Sequence, residues 1–227
     1  MAKKGDLLAV ELEGRDDEGT VFDSTSGEIA KRLHGREGPM LISLESDKVI
    51  PGLHDALEGM EEGEEKEIEI PPEKAFGGRR KELVKIMSLA EFRKFNVAPE
   101  PGLVIHVDTE RGRNYGTVKS VSGGRVMVDF NHPYAGKKVS YKIRLAKIHS
   151  THEAKIGAMC ENSGIVEKWD YRDGALSLSF REGSGQEFET AKALLLISLR
   201  ARMPELKQLK VEKKEVKKKE EAGKKGG

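Results

Sequence analysis

A strand pattern that stops and then resumes far downstream constrains this chain more than any other feature. LLAVELEGR (7–15) alternates apolar and polar residues and reads as a half-buried strand, and VSYKIRLAKI (139–148) takes up the same alternation. After the first of these, DDEG (16–19) turns the chain into TVFDS, and PMLISL (39–44) gives another strand. Val49, Leu53, Leu57 and Met60 recur at helical spacing, with Pro51 suited to a first turn and Gly59 near the end, which predicts a helix. EEKEIEIP (64–71) is a strand that Pro71 and Pro72 stop, because proline donates nothing to a ladder. Residues 82–130 have another texture. LVKIMSLAEFRKF (83–95) is apolar and helix-compatible, and short strands at 103–109, 115–121 and 124–130 alternate with Gly-rich turns. A parent sheet domain interrupted by a small β-rich unit accounts for both textures.

A third unit follows a polar junction near 150–152. EAKIGAMCE is compatible with a helix, GIVEKWDYRDGALSLSF with a hairpin turning at Asp173-Gly174, and TAKALLLISLRARM (190–203) with a long helix that Pro204 ends. LKQLKVEKKEV would return as a strand, and the charged terminus 217–227 has no apolar content from which to build order. The fold class is therefore α+β in three parts. A length of 227 residues allows them, and 35% charged against 37% hydrophobic residues implies modest cores.

The same composition excludes several functions. A net charge of +1 gives no general field for nucleic acid or for an anionic membrane. No apolar run approaches a membrane span. One cysteine, Cys160, allows no internal disulfide framework, which suits a reducing cytoplasm, the expected location. His132, His149 and His152 lack metal-ligand spacing and read as structural or solvent-facing, so no metal and no cofactor is expected.

Phe22, Val49, Ile50, Leu53, Phe76 and Tyr141 come from separate segments, and a shared cavity beside Asp23 would gather them. By spacing alone the same residues describe ordinary core, and Asp23 a turn residue. Their combined order changes the reading. VFDST (21–25), VIPGL (49–53), AFG (75–77) and NHPYAGKKVSYKI (131–143) together resemble the FKBP-type peptidyl-prolyl cis–trans isomerases, in particular the long, SlyD-like, archaeal-type branch with an insert in the flap.

That resemblance implies an FKBP-like antiparallel sheet wrapped on a short helix. It assigns 1–81 with 131–151 to the isomerase domain, 82–130 to the insert-in-flap chaperone domain and 152–216 to a C-terminal α/β accessory domain. It further implies catalytic roles for Phe22, Asp23, Ile50, Phe76 and Tyr141, with the Ile50 N–H holding a substrate carbonyl. Leu12, Met40, Val49 and Leu53 would complete the substrate pocket, and Leu83, Val84, Ile86, Met87, Phe92 and Phe95 would capture unfolded chain. Two positions depart from the family pattern. Leu12 stands where many members carry Tyr, which removes a phenolic partner for Asp23, and Phe76 replaces the usual Tyr of AYG. Both keep the cavity apolar and imply weaker binding of macrolide-type inhibitors. The implied partners are unfolded or partly folded polypeptides with X-Pro bonds, and the C-terminal helix and edge strands would support a homodimer. Alternatives are a holdase with little turnover, or a ribosome- or RNA-associated module built on the insert and the basic tail.

Overall fold

The structure, a computed structural model, describes residues 1–110 and 112–212. In chain order the elements are β1 (Leu7–Arg15), β2 (Val21–Ser24), α1 (Gly27–His34), β3 (Met40–Ser43), α2 (Pro51–Leu57), β4 (Glu65–Ile70), β5 (Val84–Ser88), α3 (Leu89–Lys94), β6 (Val104–Thr109), β7 (Gly112–Ser122), β8 (Arg125–Asp129), β9 (Val139–His149), α4 (His152–Ser163), β10 (Val166–Arg172), β11 (Ala175–Phe180), α5 (Gln186–Arg202) and β12 (Gln208–Val211).

The interrupted alternation closes into one antiparallel sheet. β1 pairs with β9 along its whole length, β9 also pairs with β4, and the outer side of β1 is shared between β3 and β2. Register explains the burial. Val10 faces Leu145, Leu12 faces Ile143 and Gly14 faces Tyr141, so one face of the central pair is continuous and buried. The helix α2 lies on that face with Leu53 and Leu57 inward. A Cβ at Gly52 would run into the Ile70 side chain, so the glycine of VIPGL sets how closely α2 approaches β4. Each fully buried Leu, Ile or Val here contributes about 1.5–3 kcal/mol of transfer free energy.

The inserted segment forms its own four-stranded antiparallel sheet, ordered β5-β8-β7-β6, over a small core of Phe92, Val118, Val126 and Val128. The stretch 83–95 is not a single helix. Val84–Ser88 pairs with β8, and Ser88 then caps α3 in a capping box with Glu91, so strand passes to helix at one residue. The helix α1 has no counterpart in the sequence reading, because it is only eight residues long and its apolar face of Ile29, Ala30 and Leu33 is too short to establish a period. Where the two crossings between parent and insert run side by side, Arg80 N–H donates to Asn131 Oδ1 at 2.8 Å and Asn131 Nδ2 donates to the Arg80 carbonyl at 2.9 Å.

The last unit is α4, the β10–β11 hairpin, α5 and β12, with β12 parallel to β11. Asp173 and Gly174 both have positive φ, the conformation the Asp-Gly turn requires. Its core of Ile156, Leu176, Leu178 and Leu199 runs on to Leu7 of β1, so this unit packs against the parent sheet. The charged terminus 217–227 lies outside the described residues. Among the described residues no helix is long and apolar enough to cross a membrane.

Candidate active site

The residues gathered by the sequence meet at one end of the parent sheet. Leu12, Leu53 and Tyr141 belong to its buried core, and Phe22, Met40, Val49, Ile50 and Phe76 pack on that core while remaining partly exposed. Leu12 and Leu53 are each only 5% exposed, which makes them floor rather than wall.

Aromatic rings cluster beside these residues. The Phe22 ring lies 4.3 Å from Tyr134, with Tyr141 edge-on at 5.7 Å and Phe76 edge-on at 5.8 Å between centroids. Phe76 in turn stacks flat on His132 at 4.3 Å. His132 is exposed, as its structural or solvent-facing reading expects, and one face of its ring is covered by Phe76. Burial lowers its pKa below the ordinary imidazole value, so it presents a neutral ring to Phe76. Tyr134 and His132 both lie in the NHPYAG segment, whose motif marked the return to the sheet without marking these rings as lining.

The Ile50 N–H donates to no acceptor among the described residues, while its carbonyl accepts from Leu53 and His54 at the start of α2. A free N–H beside an apolar floor is a donor for a carbonyl entering from outside.

Asp23 has a phenolic neighbour, although Leu12 removes the expected one. Gly14 pairs with Asp23 on one side and with Tyr141 on the other. Having no side chain, it lets the Tyr141 ring lie across it; a Cβ there would stand 2.8 Å from ring atoms Cε1 and Cζ. Burial first, and then the charge and hydrogen bonding of Asp23, push the Tyr141 hydroxyl well above the ordinary phenol range, so it stays protonated and donates toward the carboxylate. On the solvent side His34 Nε2 stands 3.1 Å from Asp23 Oδ1. Gly14 and His34 carried no signal in the sequence, since neither belongs to a recognisable spacing.

The insert residues divide. Ile86 and Phe95 are 65% and 79% exposed, and Leu83 and Val84 are half-buried. Phe92 is 5% exposed in the insert core, which takes it out of any client-binding surface, whereas Met87 packs against that core while staying partly exposed. Val104, Tyr115 and Met127 are exposed apolar residues that spacing did not single out. Strand pairing puts Ile86 opposite Met127, Val104 opposite Thr117, and Thr117 opposite Asp129. With a period of two, Ile86, Met127, Val104 and Tyr115 therefore share a sheet face with Thr117 and Asp129. Those last two line a cleft that His132, Arg79 and Lys119 also line. The cleft thus meets the insert at the polar residues Thr117, Lys119 and Asp129 and the aromatic cluster at His132, and Ile86, Met127, Val104 and Tyr115 do not line it. Burial of Asp129 opposes its ionisation, but hydrogen bonds from Asn131 and the Arg79 guanidinium, 2.6 Å away, outweigh it and hold its carboxyl below the usual range.

Comparison with known proteins agrees with this architecture. The family of the FKBP-type peptidyl-prolyl cis-trans isomerase matches residues 1–100, and the family described as FKBP26, IF domain, matches residues 85–134. The short-type peptidyl-prolyl cis-trans isomerase of Methanocaldococcus jannaschii is 30% identical over 153 residues, covering 65% of this chain and 94% of that protein. The FKBP-type peptidyl-prolyl cis-trans isomerase SlyD of Treponema pallidum is 30% identical over 153 residues, covering 67% of this chain and 81% of its own length. The FKBP-type 16 kDa peptidyl-prolyl cis-trans isomerase of Escherichia coli strain K12 is 30% identical over 139 residues, covering 61% and 87%. With a family model matching residues 1–100 and a relative 30% identical of which the chain covers 94%, the chain belongs to the FKBP-type peptidyl-prolyl cis–trans isomerases.

Proposed function

We propose that this isomerase turns over X-Pro bonds in the opening formed by Phe22, Asp23, Ile50, Phe76 and Tyr141, and that its insert captures the unfolded chains that carry them. The observation that carries the proposal is the apolar face of Ile86, Met127, Val104 and Tyr115 left exposed on an insert whose crossing at Arg80 and Asn131 adjoins His132, the ring stacked on Phe76. A client held on Ile86, Met127, Val104, Tyr115 and Phe95 keeps its prolines at high local concentration beside the pocket.

The reaction needs no nucleophile. Rotation about the amide is opposed by about 18–20 kcal/mol because the planar state is resonance-stabilised. In the twisted state that resonance and part of the dipole are lost, so an apolar floor of Leu53 and Leu12 penalises it less than the planar state. A thousandfold acceleration needs only about 4 kcal/mol of such preference. The Ile50 N–H fixes the carbonyl, while Asp23, held between Tyr141 and His34, biases the field at the rim without carrying a proton. Clients are unfolded or partly folded polypeptides in a reducing cytoplasm, where Cys160 is a buried free thiol. Leu194 and Ile197, 59% and 63% exposed on α5, are the surface on which a homodimer would form.

A protease-free assay on an X-Pro peptide, run alongside refolding of a proline-limited protein, tests the reading. Replacing 82–130 by a short turn between the hydrogen-bonded Arg80 and Asn131 should spare peptide turnover and remove catalysed refolding. Equal loss of both activities in a folded deletion variant would refute the division of labour, and refolding that survives deletion would refute capture by the insert.

A further inference from the structure

The C-terminal unit grips the pocket's own framework through polar contacts, one from Arg36 to Asn162 and a more covered one at Arg202. Arg202, the last residue of α5, donates Nε to Asp47 Oδ1 at 3.1 Å and Nη2 to Asp47 Oδ2 at 2.9 Å. The same Nη2 reaches the Leu41 carbonyl at 3.1 Å. Both charged side chains are largely covered, 20% and 23% exposed. Asp47 Oδ2 also accepts the Ser43 N–H at 2.8 Å, and the Asp47 N–H donates to the Ser43 carbonyl at 3.1 Å. Arg202 therefore closes a ring of bonds around the turn that follows β3.

That turn leads directly to the site. Only Lys48 separates Asp47 from Val49 and Ile50, and Leu41 is the neighbour of Met40. One guanidinium thus ties together the two segments that carry Met40 and the free Ile50 N–H. Leu199 and Met203, either side of Arg202 in sequence, pack in the same cluster as Leu7 and Leu41, so the fork is seated on an apolar contact. A planar guanidinium can hold a carboxylate at two points and keep a third bond, which an ammonium cannot reproduce with the same geometry.

We propose that Arg202 is a positioning residue for the prolyl pocket: through Asp47 it holds residues 44–50 so that the Ile50 N–H meets the substrate carbonyl. The proposal rests on the isomerase reading of that pocket. It gives the C-terminal unit a part in turnover at a site it does not itself line. A donor that grips the carbonyl in both planar and twisted states supplies binding more than rate, so loosening it should raise KM and leave kcat nearly unchanged.

The test uses the full chain, with KM and kcat on an X-Pro peptide for wild type, Arg202→Gln, Arg202→Lys and Asp47→Asn. Thermal melts and amide hydrogen exchange over 43–50 accompany the kinetics. Arg202→Gln should raise KM about tenfold with kcat within about twofold, and Arg202→Lys should recover part of the loss. Exchange at Ser43 and Asp47 should quicken. A merely structural contact would instead lower the melting temperature and the active fraction, dropping kcat at constant KM, and that result would overturn the proposal. So would an unchanged KM in all three variants. If Arg202→Gln does not fold, Asp47→Asn, which conserves shape, decides on the same KM criterion. Absence of turnover in the wild-type chain would sink the pocket reading itself, and the proposal with it.

Discussion

A methyl group added at Gly14 would stand 2.8 Å from Cε1 and Cζ of Tyr141 and 3.1 Å from Cζ of Phe22. Carbon atoms rest about 3.5 Å apart, so the Tyr141 ring would have to retreat by about 0.7 Å. Gly14 has an ordinary φ, so alanine fits the backbone and gains about 0.4–1 kcal/mol by restricting the unfolded chain. Overpacking costs about 1–3 kcal/mol. The net loss of stability should be no more than about 2.5 kcal/mol, and the variant should remain folded. Turnover should suffer more visibly, because the displaced hydroxyl no longer orients Asp23. A hydrogen bond to a charged group is worth about 1.5–3 kcal/mol, and losing roughly half of it corresponds to about a three- to tenfold fall in kcat/KM. The assay is peptide isomerisation by Gly14→Ala, Tyr141→Phe and the double variant, with urea unfolding of each. If Gly14 acts by making room for the Tyr141 hydroxyl, the double variant is little worse than Tyr141→Phe alone. Fully additive losses, or a Gly14→Ala enzyme with wild-type kcat/KM, would refute the reasoning.

Two further outcomes follow from the site. Asp23→Ala should lower kcat/KM by about three- to tenfold and leave clear activity, since about 1 kcal/mol of field is all it is asked to supply; loss of all turnover in a folded variant would point to proton-transfer chemistry instead. The pKa of His132 is lowered by burial, so the unfolded chain, with an imidazole near 6.5, takes up a proton there before the folded one does. Its contribution to stability is therefore complete above about pH 6.5 and is lost as the pH falls toward the folded value. Urea midpoints between pH 8 and pH 5 should drop further for wild type than for His132→Gln, although His149, shifted the same way by burial, keeps a residual slope in both. A wild-type midpoint that falls no more than the variant's would contradict the assignment.

The parent sheet was legible because its strands obey a period of two, whereas spacing alone left the residues of VFDST, VIPGL and AFG as ordinary core and only their resemblance to a family implied one site. The insert was legible as a change of texture, but its division of labour was not. Phe92 and Phe95 look alike in sequence, and only the capped turn of α3 sends one into the core and leaves the other 79% exposed. α1 was invisible, its apolar face of Ile29, Ala30 and Leu33 spanning too few residues to show a period, and it brings His34 to Asp23.

Local pattern, then, determined the alternating strands, the helix start at Pro51, the Asp-Gly hairpin and the apolar character of the site, because each depends on neighbours within a few residues. Tertiary structure alone decided which groups meet. The Gly14 gap admits a phenol from a strand entered after the insert, His132 stacks on Phe76, and Arg202 reaches back to Asp47 from the far end of the chain. These contacts join residues far apart in sequence, and distance of that kind leaves no periodicity to read; register and packing create it.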